Sequence, residues 1–398
     1  MNILIHTDEY YPTPQACAYR MQTMADVFSK QGNKVIVIAS SVNKKNGSMK
    51  LRSEEIVYAP AISMKKKTAL MRILNNLSFG ISSVYAASKV GKIDIVISTS
   101  PPPLISIFGW IIAKFKRAKL VYDVRDIWPD VAIEMGSFSS KSFYSKIFSL
   151  IANFMYKHAD WITTVSSGKV KKIQQHLISI SKTDCTDKVK LVSNGFDEGV
   201  TNFKINQQVV DRYQLDKNFT CVYIGNIGLA QGLEFILDIA EHTVHKDVQF
   251  LIFGKGAEKD SLIKEATKRK LQNVKFCGVL PHKDVFSVLS KAKISFIPLK
   301  SAKMKDSIPT KIYEALGIGC PVLLVAEGDS CDIVNESKIG KCISPSDLEI
   351  LPETFDNMVD DYSEYSAHRN EAKLLMRNKY SRQKIAINFE KQLNILTK

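Results

Sequence analysis

The chain has 398 residues, 45% of them hydrophobic and 24% charged, with a formal net charge of +15. That length exceeds what one hydrophobic core fills, so two domains are expected, and the composition excludes a largely disordered chain. The charge is one-sided: residues 1–198 carry 27 Lys/Arg against 15 Asp/Glu, residues 199–398 carry 28 against 25, which points to an anionic partner on the first half, whether nucleic acid, acidic lipid headgroups or a phosphorylated substrate.

In chain order, Asn2–Thr7 is a short apolar run before the turn YYPTP. A helical pattern follows through Tyr19, Met21, Met24, Ala25 and Phe28, closes at Gly32, and leads into the apolar strand KVIVIAS. Strand, helix closed by Gly, strand is the sequence form of a right-handed βαβ unit in a parallel sheet. The alternation continues with DIVIST (94–99), KLVYDV (119–124), WITTVS (161–166) and KVKLVSNGFD up to Asp197. A polar stretch to Asn218 reads as a linker. Beyond it FTCVYIGN (219–226), VQFLIFG (248–254), VKFCGV (274–279), ISFIPL (294–299) and CPVLLV (320–325) alternate with helical patterns, and a polar amphipathic helix ends the chain. The reading is α/β: two doubly wound parallel-sheet domains, 1–198 and 199–377, with a helix over about 378–398 expected to return to the first. Ligands bind such sheets outside the carboxyl ends of the strands.

The opening MNILIHTDEYYP lacks the basic start and apolar run of a signal peptide, and the most apolar stretch, Leu104–Ala113, is shorter than the ~20 residues a bilayer needs. Seven scattered cysteines (17, 185, 221, 277, 320, 331 and 342) form no metal-ligand pattern, which reads as the thiols of a reducing cytosol. Residues 62–90 combine Lys65, Lys66, Lys67 and Arg72 with Leu70, Leu74, Leu77 and Ile81; residues 141–157 carry Phe143, Ile147, Phe148, Ile151 and Phe154 between basic ends. Both stretches suit either an anionic membrane surface or the cover of a sheet. Lipid contact is expected of the first and core packing of the second.

The stretch with most chemistry runs from Asp306 through Ser307, Ile308, Pro309, Thr310 and Lys311 to Glu314. A loop bearing a carboxylate enters a helix whose first turn suits Pro309, and Glu314 lies just over one turn beyond Thr310. The unpaired N–H groups and partial positive charge of a helix start suit a diphosphate, and two carboxylates flanking it could hold hydroxyls. An N-cap with an ordinary surface Glu is the plain alternative.

This stretch resembles the E-x7-E motif of the retaining glycosyltransferase family 4, with Asp306 in place of the first Glu. Further marks of that family stand in order along the chain: YYPTPQACAYRM (10–21), ISTSPPP (97–103), DVRDIWPD (123–130), TTVSSG (163–168), SNGFD (193–197), YIGNIGLAQGLEFIL (223–237), FGKGAEKDSL (253–262) and VKFCGVLPHKDVFSVLSKAKISFIPL (274–299). The look is that of members building bacterial O-antigen and capsule polysaccharides. The resemblance implies the GT-B fold, two Rossmann-like domains facing across a cleft. It implies that Glu314 binds the ribose hydroxyls and Asp306 the hydroxyls of the transferred sugar, while the backbone of Ser307, Ile308, Pro309 and Thr310 takes the diphosphate. Gly225, Gly254 and Gly256 would let the chain pass near the nucleotide, and Gly278 with Val279 would lie near the base. Asn226 and Gln231 stand where many relatives hold an Arg and a Lys. The helix dipole, Lys311, and Arg125 or Arg20 are then expected to neutralise the leaving diphosphate.

On the acceptor side the resemblance implies Gln15, Arg20, Asp123, Arg125 and Asp126. Relatives often carry His where this chain has Arg125. A guanidinium cannot serve as a base, so a proton-accepting role would fall to Asp126, unless the pair only orients its loop. No D-x-D is present, and catalysis is expected without a metal or other cofactor. The reaction implied is transfer of a sugar, with retention, from a nucleotide donor, UDP by family weight. The acceptor would be a lipid-linked saccharide at the inner face of the cytoplasmic membrane, with no nucleic acid involved. The alternatives are a sugar-nucleotide epimerase on the same fold, a two-lobed binding protein and a nucleic-acid binder.

Overall fold

The computed structural model describes residues 1–397 except 14, 44–52, 65–67, 137 and 182–184; Lys65, Lys66 and Lys67 therefore lie outside the described residues. The chain divides into two compact units, Met1–Asn194 with Arg382–Lys398, and Gly195–Ser381.

The first unit runs β1 (Asn2–His6), α1 (Ala16–Lys30), β2 (Lys34–Ser40), β3 (Glu55–Ala59), α2 (Ala69–Ser88), β4 (Ile95–Ser100), α3 (Pro103–Lys116), β5 (Lys119–Val124), α4 (Asp130–Glu134), α5 (Phe143–His158), β6 (Trp161–Thr164), α6 (Ser167–Ser181) and β7 (Val189–Leu191). Its strands form one parallel sheet in the order β3-β2-β1-β4-β5-β6-β7. The strands read as continuous apolar runs because both sheet faces are covered. On one face Phe79 of α2, Ile105 and Ile112 of α3, Met155 of α5 and Ile173 of α6 are buried in one cluster; on the other, Met21 and Phe28 of α1 are buried in a second.

The second unit runs α7 (Gln207–Arg212), β8 (Thr220–Ile224), α8 (Glu234–His242), β9 (Gln249–Phe253), α9 (Lys259–Lys268), β10 (Val274–Gly278), α10 (His282–Lys291), β11 (Ile294–Pro298), α11 (Thr310–Ile318), β12 (Val322–Val325), α12 (Asp329–Ser337), β13 (Gly340–Ile343), α13 (Leu351–Asp360), α14 (Tyr362–Ala367) and α15 (Arg369–Asn378). Its parallel sheet has the order β10-β9-β8-β11-β12-β13. The last helix, α16 (Arg382–Leu396), belongs to the first unit, where Phe389 meets Phe28 of α1 with ring centroids 6.0 Å apart.

Three sequence expectations are corrected here. β3 and β13 were not legible, because each is a short edge strand with a polar or half-exposed face. Residues 198–218 are not a linker: α7 lies there, and Val210 and Leu215 are buried in the second core. The cysteines are not all thiols, since Cys331 of α12 and Cys342 of β13 form a disulfide with Cα atoms 5.6 Å apart. Lys338 in the left-handed conformation turns the chain straight from α12 into β13. That return creates the adjacency and takes away one ground for a reducing compartment. No helix among the described residues is long and apolar enough to cross a membrane.

Candidate functional site

In the second unit the strand order reverses between β8 and β11, the position at which doubly wound sheets bind ligands. Two loops emerge there: 225–232 after β8, and 299–309 after β11, which enters α11. Pro309 is the N-cap residue rather than a first-turn residue, and its own side chain makes no cap hydrogen bond. The first amides of α11 point out of the helix start toward whatever anion lies there. Ser307 is held from behind, its carbonyl accepting from Ser330 Oγ at 2.6 Å. Asp306, Ser307, Ile308 and Thr310 are all half-buried, and so is Glu314 one turn along.

Lys311 reaches back across this helix start to β8. Its ammonium donates to Tyr223 Oη at 3.0 Å and to Gln231 Oε1 at 3.2 Å, and lies 4.1 Å from the centroid of the Tyr223 ring. Burial pushes this ammonium down to about 7, with Glu314 opposing the shift. The structure therefore brings together Lys311, Gln231 and Tyr223; sequence reasoning had missed Tyr223, whose hydroxyl also donates to the Asn226 carbonyl. A cation thus sits on the side chain of Gln231, where relatives are expected to carry one of their own.

The structure gives the glycines a reason of their own, independent of any nucleotide. A Cβ at Gly254 would lie 1.8 Å from the Gly225 carbonyl, and one at Gly256 would lie 1.9 Å from the Ile227 carbonyl. These residues are glycine because the loops after β8 and β9 pack backbone on backbone, with Ile227 N–H donating to the Lys255 carbonyl at 2.9 Å. Gly278 is in the left-handed region at φ +75 with open space around its Cβ position, and Val279 beside it is exposed. Asn226 is exposed at the surface of its loop.

In the first unit the order reverses between β1 and β4. Arg125 follows β5; its backbone N–H donates to Ser100 and its guanidinium to the Pro101 carbonyl at 2.7 Å, while Nε is enclosed without a partner. Lys169 of α6 donates to the Arg125 carbonyl and to Asp126 Oδ1 at 3.1 Å. Asp126 is therefore one half of an ion pair that fixes the loop, which favours the orienting role over that of a proton acceptor. Gln15, exposed at the N-cap of α1, hydrogen-bonds Glu9.

Asp8 and Glu9, directly after β1, were missed as site residues. Burial raises Asp8 to about 6, with the Arg125 charge opposing. Burial and then the neighbouring Asp8 charge raise Glu9 to about 7. The signal available was an acidic pair at the carboxyl end of the first strand. Arg20 and Asp123, by contrast, face inward. Their ion pair of 3.1 Å has both side chains 2% exposed, and Arg20 also donates to the carbonyls of Val192 and Ser193 while Thr163 donates to Asp123. Arg20 is a buried clamp between α1, β5 and the end of the unit, so the expectation that it meets a diphosphate is corrected: its side chain is 2% exposed and both Nη atoms donate inside the unit.

Residues 207–375 match the family model described as glycosyl transferases group 1. WcaI of Escherichia coli (strain K12), whose name places it in colanic acid biosynthesis as a glycosyl transferase, is 24% identical over 88% of this chain and 90% of its own. Among solved structures, HepE of Anabaena in complex with UDP-glucose superposes with a TM-score of 0.75 at 15% identity, covering 99% of this chain and 100% of its own. The sucrose-phosphate synthase of Thermosynechococcus elongatus does so with 0.81 at 13% identity, covering 100% and 99%. The fold is that of the two-Rossmann-domain, GT-B glycosyltransferases. The chain therefore carries a glycosyltransferase group 1 domain over residues 207–375, and over most of its length it is similar to a protein named as a glycosyl transferase.

Proposed function

We propose that this enzyme transfers a sugar from a UDP-sugar, held by the second unit, to a lipid-linked saccharide recognised by the first. The reaction retains anomeric configuration and serves a bacterial surface polysaccharide at the inner face of the cytoplasmic membrane. The observation that carries the donor reading is the start of α11 at Pro309, with Lys311 folded back over Tyr223 and Glu314 one turn on. Within the stretch Ser307–Thr310, the amides of Ile308 and Thr310 take the diphosphate together with the Lys311 ammonium, since the Ser307 amide donates to the Met304 carbonyl at 2.9 Å and Pro309 has none; Glu314 takes the ribose hydroxyls and Asp306 the hydroxyls of the sugar. As the sugar C1 to phosphate oxygen bond breaks, the C1 to acceptor oxygen bond forms on the same face, and the acceptor proton passes to the departing phosphate. Lys311 and the helix dipole stabilise that leaving charge, so the reading needs no metal. Arg125, with Asp126 and Lys169 fixing its loop, lies at the acceptor end with Gln15, Asp8 and Glu9.

HepE bound to UDP-glucose supports the donor class, and WcaI supports the polysaccharide setting. The epimerase alternative has no observation in its favour. The test is thermal stabilisation of the chain by UDP, GDP and ADP, each with and without EDTA. A UDP-selective shift that survives EDTA and disappears in Glu314→Ala is expected; absence of a shift with all three nucleotides refutes the donor reading.

A further inference from the structure

The outer helices on one face of the first unit's sheet share a property that no single segment reveals. α2, α3, α5 and α6 bury their inner sides in one cluster, with α3 packed between α2 and α5. None of the four contains an Asp or Glu. On the opposite face α1 carries Asp26 and α16 carries Glu390.

α2 is also apolar on both sides. Phe79 and Ala87 point into the core, while Leu70, Leu74, Leu77, Ile81 and Tyr85 follow one another at spacings of four, three, four and four on the outer side, with exposures of 65%, 39%, 36%, 65% and 64%. A helix on a water-facing surface keeps polar residues there; one apolar all round is covered. The helices packed beside it add further exposed apolar side chains, Phe115 of α3 and Phe143 and Leu150 of α5, exposed by 61%, 73% and 68%. The second sequence stretch, expected to pack the core, does so and also exposes apolar side chains on its outer side. Around these side chains the charges are basic: Arg72, Lys114, Lys116 and Lys146 are on the helices, and the Lys89 ammonium lies over the Tyr85 ring, 4.3 Å from its centroid.

We propose that the α2–α3–α5 face docks on an anionic lipid bilayer. Its apolar stripe enters the headgroup boundary while its Lys and Arg side chains meet the anionic headgroups. Charge decides the occupant. Glu55 of β3 lines a cavity with Tyr85 and Lys89 at one edge of this face, but the helices themselves carry no carboxylate, so a second copy would set most of these cations against their own equivalents. A nucleic acid would leave the leucine stripe uncovered. The inference rests on the reading of a lipid-linked acceptor and adds to it the surface that brings the enzyme to that acceptor.

The experiment is sedimentation of the full chain with vesicles of phosphatidylcholine alone and of phosphatidylcholine mixed with phosphatidylglycerol. Ile81→Asp and Phe143→Asp are tested alongside, both at exposed positions. The expected result is binding that requires phosphatidylglycerol, weakens with salt, and falls about tenfold or more in each variant, while UDP stabilises wild type and variants alike. Equal binding by wild type and variants, or no vesicle binding, overturns the proposal. So does light scattering that finds a dimer which the variants dissociate, or binding to a mixed-sequence RNA in place of vesicles. Vesicle binding without a UDP shift leaves this face standing and removes the donor reading; a UDP shift without vesicle binding does the reverse.

Discussion

Replacing Lys311 by Met removes the one ammonium that lies on both Tyr223 Oη and Gln231 Oε1, at 3.0 and 3.2 Å. If this ammonium grips the diphosphate, the loss is that of a charge-assisted hydrogen bond, ~1.5–3 kcal/mol, or roughly tenfold to a hundredfold in the Kd for UDP. The pH dependence is the sharper test. In the free protein burial holds Lys311 at about 7. A bound diphosphate anion raises that value, so binding takes up a proton and is strongest below it. The charged fraction is about one half at pH ~7 and about one hundredth at pH ~9; with the neutral amine binding roughly tenfold to a hundredfold more weakly, UDP weakens roughly 5- to 25-fold over that interval. Its own phosphate, with a second ionisation near ~6, is already fully charged there. Calorimetric titration of UDP into wild type and Lys311→Met across this range gives the answer. A steep wild-type slope with a flat variant is expected; a flat wild-type slope, or an unchanged Kd in the variant, refutes the role of Lys311.

Arg20→Ala leaves Asp123 buried without its cation and should destabilise the first unit by ~3–5 kcal/mol, read as a lowered thermal midpoint, while UDP still stabilises the protein. Asp8 and Glu9 have folded values of about 6 and about 7, above their ordinary 3.8 and 4.5. The folded state therefore holds more protons between those limits, so stability falls as pH rises from about 4 through about 7, and the whole penalty is present above that range. Glu9→Gln should raise the thermal midpoint at pH ~8 and leave it unchanged at pH ~4; a parallel shift at both would show that burial is not the cause. Gly254→Ala places a Cβ 1.8 Å from the Gly225 carbonyl and should cost ~1–3 kcal/mol in denaturant unfolding as the two loops separate.

Periodicity, run length and β-branched content together made the architecture legible: short apolar runs such as KVIVIAS and FTCVYIGN, spaced by helical patterns, read as buried strands of parallel sheets. The stretch from Asp306 to Glu314 was legible as well, because its loop, helix start and carboxylates are local in the chain. Edge strands β3 and β13 escaped because half-exposed strands lose the apolar signal. The disulfide, the Arg20–Asp123 clamp and the place of Lys311 on Gln231 were decided only by tertiary structure. Each joins residues that the βαβ crossovers bring together, so no local spacing encodes them. The same holds for the acid-free helix face. Its composition was in the sequence throughout, but only the packing of α2, α3 and α5 side by side turned separate apolar and basic residues into one surface.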